Sequence, residues 1–212
     1  PLLNDEILLA CARTQYTEPA GLDANASVFN QHGEKQRTFT LGDTIENMQT
    51  TSDGKIWTNY FDEGITWVDG NNVPLPIHGL HQWDSYGSEL YHYQPNDLLQ
   101  SRIMDSFALN VDSHDSAWLL FDDIPHSTLI KVDGKALVDY WNVPMHSVYA
   151  FLSWNNQLLL SGGYRDTTYR LCELRTNHTL RHTQTFKIMP SGFRVARGHA
   201  IVIENDNRFY RV

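Results

Sequence analysis

Cysteine is scarce: Cys11 and Cys172 are the only two, far apart and each inside an apolar run. So few thiols exclude a disulfide-stapled scaffold, and apolar surroundings are where a reduced thiol acts as a small hydrophobe. Positive charge is also short. Sixteen Lys and Arg stand against 25 Asp and Glu, a formal net charge of -9, and the basic residues nowhere cluster into a run. No stretch can neutralise a phosphate backbone or an anionic bilayer, so nucleic acid and membrane are set aside as partners. No apolar run approaches the roughly 20 residues that a spanning helix requires, and no charged-then-apolar leader is visible. These absences point to a cytoplasmic chain, with a secreted or periplasmic one left open.

The chain is rich in aromatics and turn residues. Ten Tyr, nine Phe and six Trp occur among 212 residues, enough length for a single all-β domain with a proper core. The run from Asn47 to Gly64 sets the pattern. Asp53-Gly54, a dipeptide suited to tight turns with positive φ, separates two strand-forming runs, and the second ends in Asp62 and Glu63. Upstream, Asp5 to Arg13 reads as a strand bounded by charge. A polar loop from Thr14 to Asn25 follows, then strands near Ala26 to Asn30 and Lys35 to Leu41. A long loop from Gly64 to His78 is rich in Gly, Asn and Pro. Between Gln94 and Ser106, the segment Asp97 to Met104 carries the one candidate helical turn.

Turns between first and second strands fall at Gly54, Asp115, Asn156 and Gly198, with spacings of 61, 41 and 42. Turns between third and fourth strands fall at Gly33, Gly87, Gly134 and His178, with spacings of 54, 47 and 44. A period in the forties with four strands per period is the signature of propeller blades, and the longer intervals mark insertions. One four-stranded blade exposes two apolar faces, and packing blades side by side buries both. The expected architecture is therefore an all-β β-propeller of four-stranded antiparallel blades, in units 1–42, 43–94, 107–141, 146–188 and 192–212. A two-sheet sandwich is the alternative. The first unit lacks its innermost strand and the last stops after its third. That predicts part of a six- or seven-bladed ring, completed by N-terminal blades missing from this chain or by another chain.

The runs Ser52-Asp-Gly-Lys-Ile-Trp57, Ser113-His-Asp-Ser-Ala-Trp118 and Tyr60-Phe-Asp-Glu-Gly64 resemble the blade repeats of the NHL, YVTN and streptogramin-lyase group of bacterial propellers. Members of that group range from lyases to sensor and interaction domains, so the resemblance implies a fold and hardly any chemistry. The metal and acid-base histidine constellation of a streptogramin-type lyase has no placement here.

In a propeller, loops after second strands and loops between blades share one face over the channel mouth. Second strands would deliver Arg13, Asp62 with Glu63, Asp122 with Asp123, Arg165 with Asp166, and Glu204 with Asp206. Acidic groups recurring at one position in successive blades would converge there. They could hold a cation such as calcium through hard oxygens, or a basic or polyhydroxyl ligand. The plainer reading is that charges at strand ends simply meet water. The long loop with Trp67, Asp69 and His78, together with Tyr16, makes a candidate ligand lid, with a surface insertion packed on its own blade as the alternative. His78-x-x-His81 and His178-x-x-x-His182 have ligand-like spacings, yet neither brings a Cys or carboxylate in register, so they read as structural or solvated. No serine elbow, phosphate loop or Cys-x-x-Cys is present. The sequence thus reads as a binding or interaction scaffold for a small polar ligand or a peptide, without a resident cofactor. The alternative is a lyase- or hydrolase-type enzyme using the mouth carboxylates.

Overall fold

The structure, a computed structural model, describes residues 2–17, 21–66, 76–112, 116–123, 125–146, 148–162, 168–187, 193–197, 200–205 and 208–211, the last three by backbone course. The chain is all-β and propeller-like. Strand β1 (Ile7–Ala10) leads into a small ribbon, β2 (Tyr16–Thr17) with β3 (Gly21–Leu22), and then to β4 (Ala26–Phe29) and β5 (Lys35–Phe39). The first sheet has the order β1-β4-β5. The second contains β6 (Ile45–Thr50), β7 (Ile56–Tyr60), β8 (Leu80–Trp83) and β9 (Glu89–His92), with a short helix α1 (Asp62–Thr66) after β7. The third contains β10 (Ser106–Val111), β11 (Ser116–Asp123), β12 (His126–Asp133) and β13 (Ala136–Val143). The fourth contains β14 (Phe151–Trp154), β15 (Gln157–Ser161), β16 (Thr168–Leu174) and β17 (Leu180–Lys187). The fifth contains β18 (Phe193–Arg197), β19 (Ala200–Asn205) and β20 (Arg208–Arg211). Neighbours within each sheet are antiparallel and follow chain order.

Burial explains why the sheets stack. All five residues of β7 are buried, as are the first six of β11, although side chains alternate across a strand. These two second strands are therefore covered on both faces by their neighbours. One core joins the first three sheets, with Val28, Tyr60, Trp57, Leu109 and Phe121 among its members. A second, with Trp118, Trp141 and Phe151, joins the third sheet to the fourth. Side-chain amides stitch the first strands together. Asn47 donates to the Phe107 carbonyl at 3.1 Å, Gln49 to that of Leu109 at 2.7 Å, and Asn110 to that of Phe151 at 2.9 Å. Main-chain carbonyls at the inner edges are thereby satisfied without another strand. Strand β1 leaves Ile7 and Leu9 exposed on one face.

The turns share a chemistry. Asn30, Thr51 and Asp84 each open a five-residue turn in which the fourth residue, Gly33, Gly54 or Gly87, adopts positive φ. The first side chain accepts main-chain N–H groups inside the turn, from Glu34, Lys55 and Ser88 respectively. Such a type I turn closed by a left-handed residue is favoured for three-residue hairpin loops. It corrects the two-residue turn expected at Asp53-Gly54, because only Gly54 is left-handed.

Three further expectations are corrected. The segment 97–104 forms no helix: the Asn96 side chain accepts from Leu98 N–H, Tyr93 Oη donates to the Ser101 carbonyl, and Ile103 is buried, so tertiary anchors override its helical spacing. The α-helix among the described residues is α1, where Asp62 accepts the Glu63 N–H at 2.8 Å, and a 3-10 turn spans Leu3–Asp5. Cys11 is exposed rather than packed as a hydrophobe, while Cys172 is buried, and both are free thiols.

Candidate functional site

The chain ends of β1, β7 and β11 bring three carboxylate-bearing segments onto one rim. Arg13, just past β1, pairs with Glu63 of α1 and lies 3.5 Å from Asp43, with its guanidinium 5.1 Å over the Phe61 ring. Asp43 in turn accepts the Thr14 N–H at 2.9 Å. These side chains are largely exposed, so their mutual attraction is screened and each pair contributes little to stability. The pairing with Glu63 holds Arg13 still more firmly protonated.

One residue further, Asp62 faces a different neighbour. Partial burial, and then the charges of Asp62 and Asp122, push the Asp105 carboxyl above its ordinary range, against the pull of the Asp62 and Ser106 main-chain N–H groups. Asp105 Oδ1 is buried and has no hydrogen-bond partner. Desolvation and the Asp105 charge likewise raise Glu46. Asp122 is held by Ser127 Oγ at 2.8 Å and lies 3.6 Å from His146 Nδ1, and its N–H donates to the Asp105 carbonyl. Asp123 turns aside, accepting from Ser101 Oγ at 2.5 Å.

Of the expected residues, Arg13 with Glu63, and Asp62 with Asp122, are therefore brought into two adjoining clusters. Tyr16 lies in the ribbon, paired in register with Leu22. Glu204 lies in β19, opposite Phe193 and Phe209. Trp67, Asp69, Arg165, Asp166 and Asp206 fall outside the described residues. Asp43, Glu46 and Asp105 were missed because they sit before or within first strands, where only packing between sheets brings them to the rim. Among the described residues no three His, Cys, Asp or Glu side chains are placed to hold a metal ion.

The reading that neither histidine pair, His78 with His81 or His178 with His182, has a carboxylate partner is overturned at His81 and at His178, whose Nδ1 lies 3.2 Å from Asp139 Oδ1. Glu89, on the strand paired with β8, binds His81, and His78 stacks on His92. His182 is exposed, with Nε2 2.8 Å from Thr185 Oγ1. His178 occupies a turn at φ 60 and stacks on Tyr140.

No family model and no curated protein matches the chain. A solved structure of a protein of unknown function from Bacteroides caccae is similar, with TM-score 0.54 and 14% identity, over 97% of this chain and 72% of that one. At that identity the likeness supports the fold alone.

Proposed function

We propose that the chain is a β-propeller binding scaffold whose acidic rim takes a small cationic or polyhydroxyl ligand. The observation that supports this is the convergence of Asp62 from the second sheet with Asp105 and Asp122 from the third, close enough for two charges to raise the pKa of the third carboxyl. Carboxylates gathered at that density favour a positive group among them. Their spread along a rim suits an amine or several hydroxyls better than a chelated calcium ion.

Spermidine is a suitable probe, followed by backbone chemical shifts with calcium chloride alongside. Saturable shifts at residues 62, 105 and 122 are expected, and Asp62→Asn combined with Asp122→Asn should abolish them. A response that never saturates and vanishes at 0.15 M salt, roughly an 8 Å screening length, would leave these groups as solvated strand ends.

A second reading, an enzyme of lyase or hydrolase type, draws on the same carboxyl. A half-buried Asp105 kept above its usual range, with the Asp62 and Asp122 carboxylates close by, has the electrostatics of a general acid beside a second carboxylate. Under that reading Asp105→Asn removes turnover and leaves ligand affinity in place, whereas a scaffold loses affinity alone.

A further inference from the structure

A separate cluster lies on the outer two strands of the second sheet. Strands β8 and β9 pair His81 with His92 and Trp83 with Glu89 across an irregularity in register. Both imidazoles thereby reach one carboxylate: His81 Nδ1 is 3.0 Å from Glu89 Oε2, and His92 Nδ1 is 2.6 Å from Glu89 Oε1. An ionised carboxylate only accepts, so each neutral ring carries its proton on Nδ1 and leaves Nε2 as a lone pair. The Gln94 amide donates to His92 Nε2 at 2.8 Å, while His81 Nε2 is buried with no partner. His78, in the turn just before β8, lies flat on His92 with ring centroids 3.9 Å apart and planes within 9°.

We propose that this cluster is an acid-released clasp: in its neutral form it pins the 76–79 turn to β9, and protonation of its imidazoles lets that turn go. Geometry carries the argument. A proton added to His81 must go to Nε2, where no acceptor faces it, and a buried unsatisfied donor is costly. One added to His92 must also go to Nε2, which ends the hydrogen bond accepted from the Gln94 amide and requires that amide to turn over. One added to His78 places a positive ring against its stacked partner.

The surrounding groups act in the same sense. His81 has 0% side-chain exposure, stacks on Trp83 at 5.3 Å and meets the edge of Tyr60. Burial pushes it down to about 4, outweighing the Glu89 charge that pulls it up. His78 is lowered by burial, then by His92, and Arg102 of the connection after β9 adds to the effect. Tyr60 of β7 stays neutral, its phenol pushed well up by burial. From the first sheet, the Leu41 carbonyl accepts from Tyr60 and Phe39 lies against Gly87, while Arg37 and Glu6 neutralise each other. Among the described residues, Glu89 is thus the carboxylate that binds His81 and His92, and His78 is held through its stacking on His92.

Hydrogen exchange read by mass spectrometry between pH 7 and 5, corrected for intrinsic rates, tests the proposal. Peptides within 76–93 should lose about tenfold more protection than those within 116–133. Glu89→Gln should leave 76–93 loosened already at pH 7 and remove most of the pH response. His92→Gln, a milder change at a half-exposed residue, should reduce that response by removing the stacked charge. Parallel loss of protection in both regions, or an unchanged pH response in His92→Gln, would overturn the clasp.

Discussion

Gly64 of α1 rests directly on the Asp43 carbonyl: a Cβ at Gly64 would stand 2.6 Å from that oxygen and closer still to Thr44 Oγ1. Hydroxyls can rotate away, but a main-chain carbonyl cannot, so any larger residue must lift the helix. Gly64→Ala is therefore expected to destabilise the fold by about 1–3 kcal/mol, the range for overpacking a tight site. It should also part Glu63 from Arg13, since both ends of that pair depend on where α1 sits. Thermal unfolding reads the first effect and the spermidine titration the second. A variant as stable as wild type would mean that α1 is not seated as described.

Tyr60 joins the first two sheets by one hydroxyl. It donates to the Leu41 carbonyl and lies 2.7 Å from Thr58 Oγ1, which also accepts the Trp83 indole N–H at 2.8 Å. Tyr60 is fully buried, so Tyr60→Phe leaves the Leu41 carbonyl without its donor in a dry seam. Leaving a buried polar group unpaired costs about 1–3 kcal/mol. Denaturant unfolding should show the midpoint falling with an unchanged slope, because no surface is newly exposed.

The sheets were legible in the sequence because their turns are written in residue types. Asn30, Thr51 and Asp84, each three residues before a glycine, announce hairpins whose side chain and left-handed residue close the loop together. The ends of β1, β7 and β11 were legible too, since charge marks where strands leave the core. What stayed hidden depends on pairing across distance. Asp105 belongs to a connection, and only the docking of the third sheet on the second puts it beside Asp62. Glu89 meets His81 because of the register between β8 and β9, which no local spacing encodes. The helical spacing of Leu98, Leu99 and Ile103 misled for the converse reason, since the Asn96 side chain and Tyr93 hydroxyl give that segment other bonds.

At the rim, the sign of the pH effect follows from the raised Asp105 carboxyl. A carboxylic acid whose folded pKa lies above its unfolded value is bound more tightly to its proton in the fold. The native state is therefore favoured at low pH, and this contribution is lost as pH rises from the ordinary value of 3.8 through the raised value in the fold. Asp105→Asn removes the repulsion with Asp62 and Asp122. At pH 7 the variant should be slightly more stable than wild type, by less than about 1 kcal/mol after solvent screening, while binding spermidine more weakly. A gain in stability paired with a loss in affinity is the combination a functional carboxylate predicts. Equal affinity would exclude Asp105 from ligand binding and leave it only the acid role of the second reading.

His81 sets the opposite slope. Its ordinary value is 6.5 and its folded value about 4, so above 6.5 neither state takes the proton and His81 contributes no pH dependence. Between 6.5 and 4 the unfolded chain binds a proton that the buried ring refuses, and stability falls as pH is lowered, by at most roughly 3 kcal/mol. Glu89 adds to the fall in its own window, since its pKa is lowered and the stability it gives above 4.5 is lost as it protonates. The guanidinium midpoint should therefore drop steeply between pH 6.5 and 4. His81→Phe keeps a flat ring against Trp83, gives up the Glu89 hydrogen bond and removes the titrating nitrogen. That variant should start less stable at pH 7, because Glu89 loses a donor, yet show a shallower decline. A decline as steep as wild type would place the acid sensitivity elsewhere, in carboxylates whose pKa the fold lowers, such as Glu6 beside Arg37.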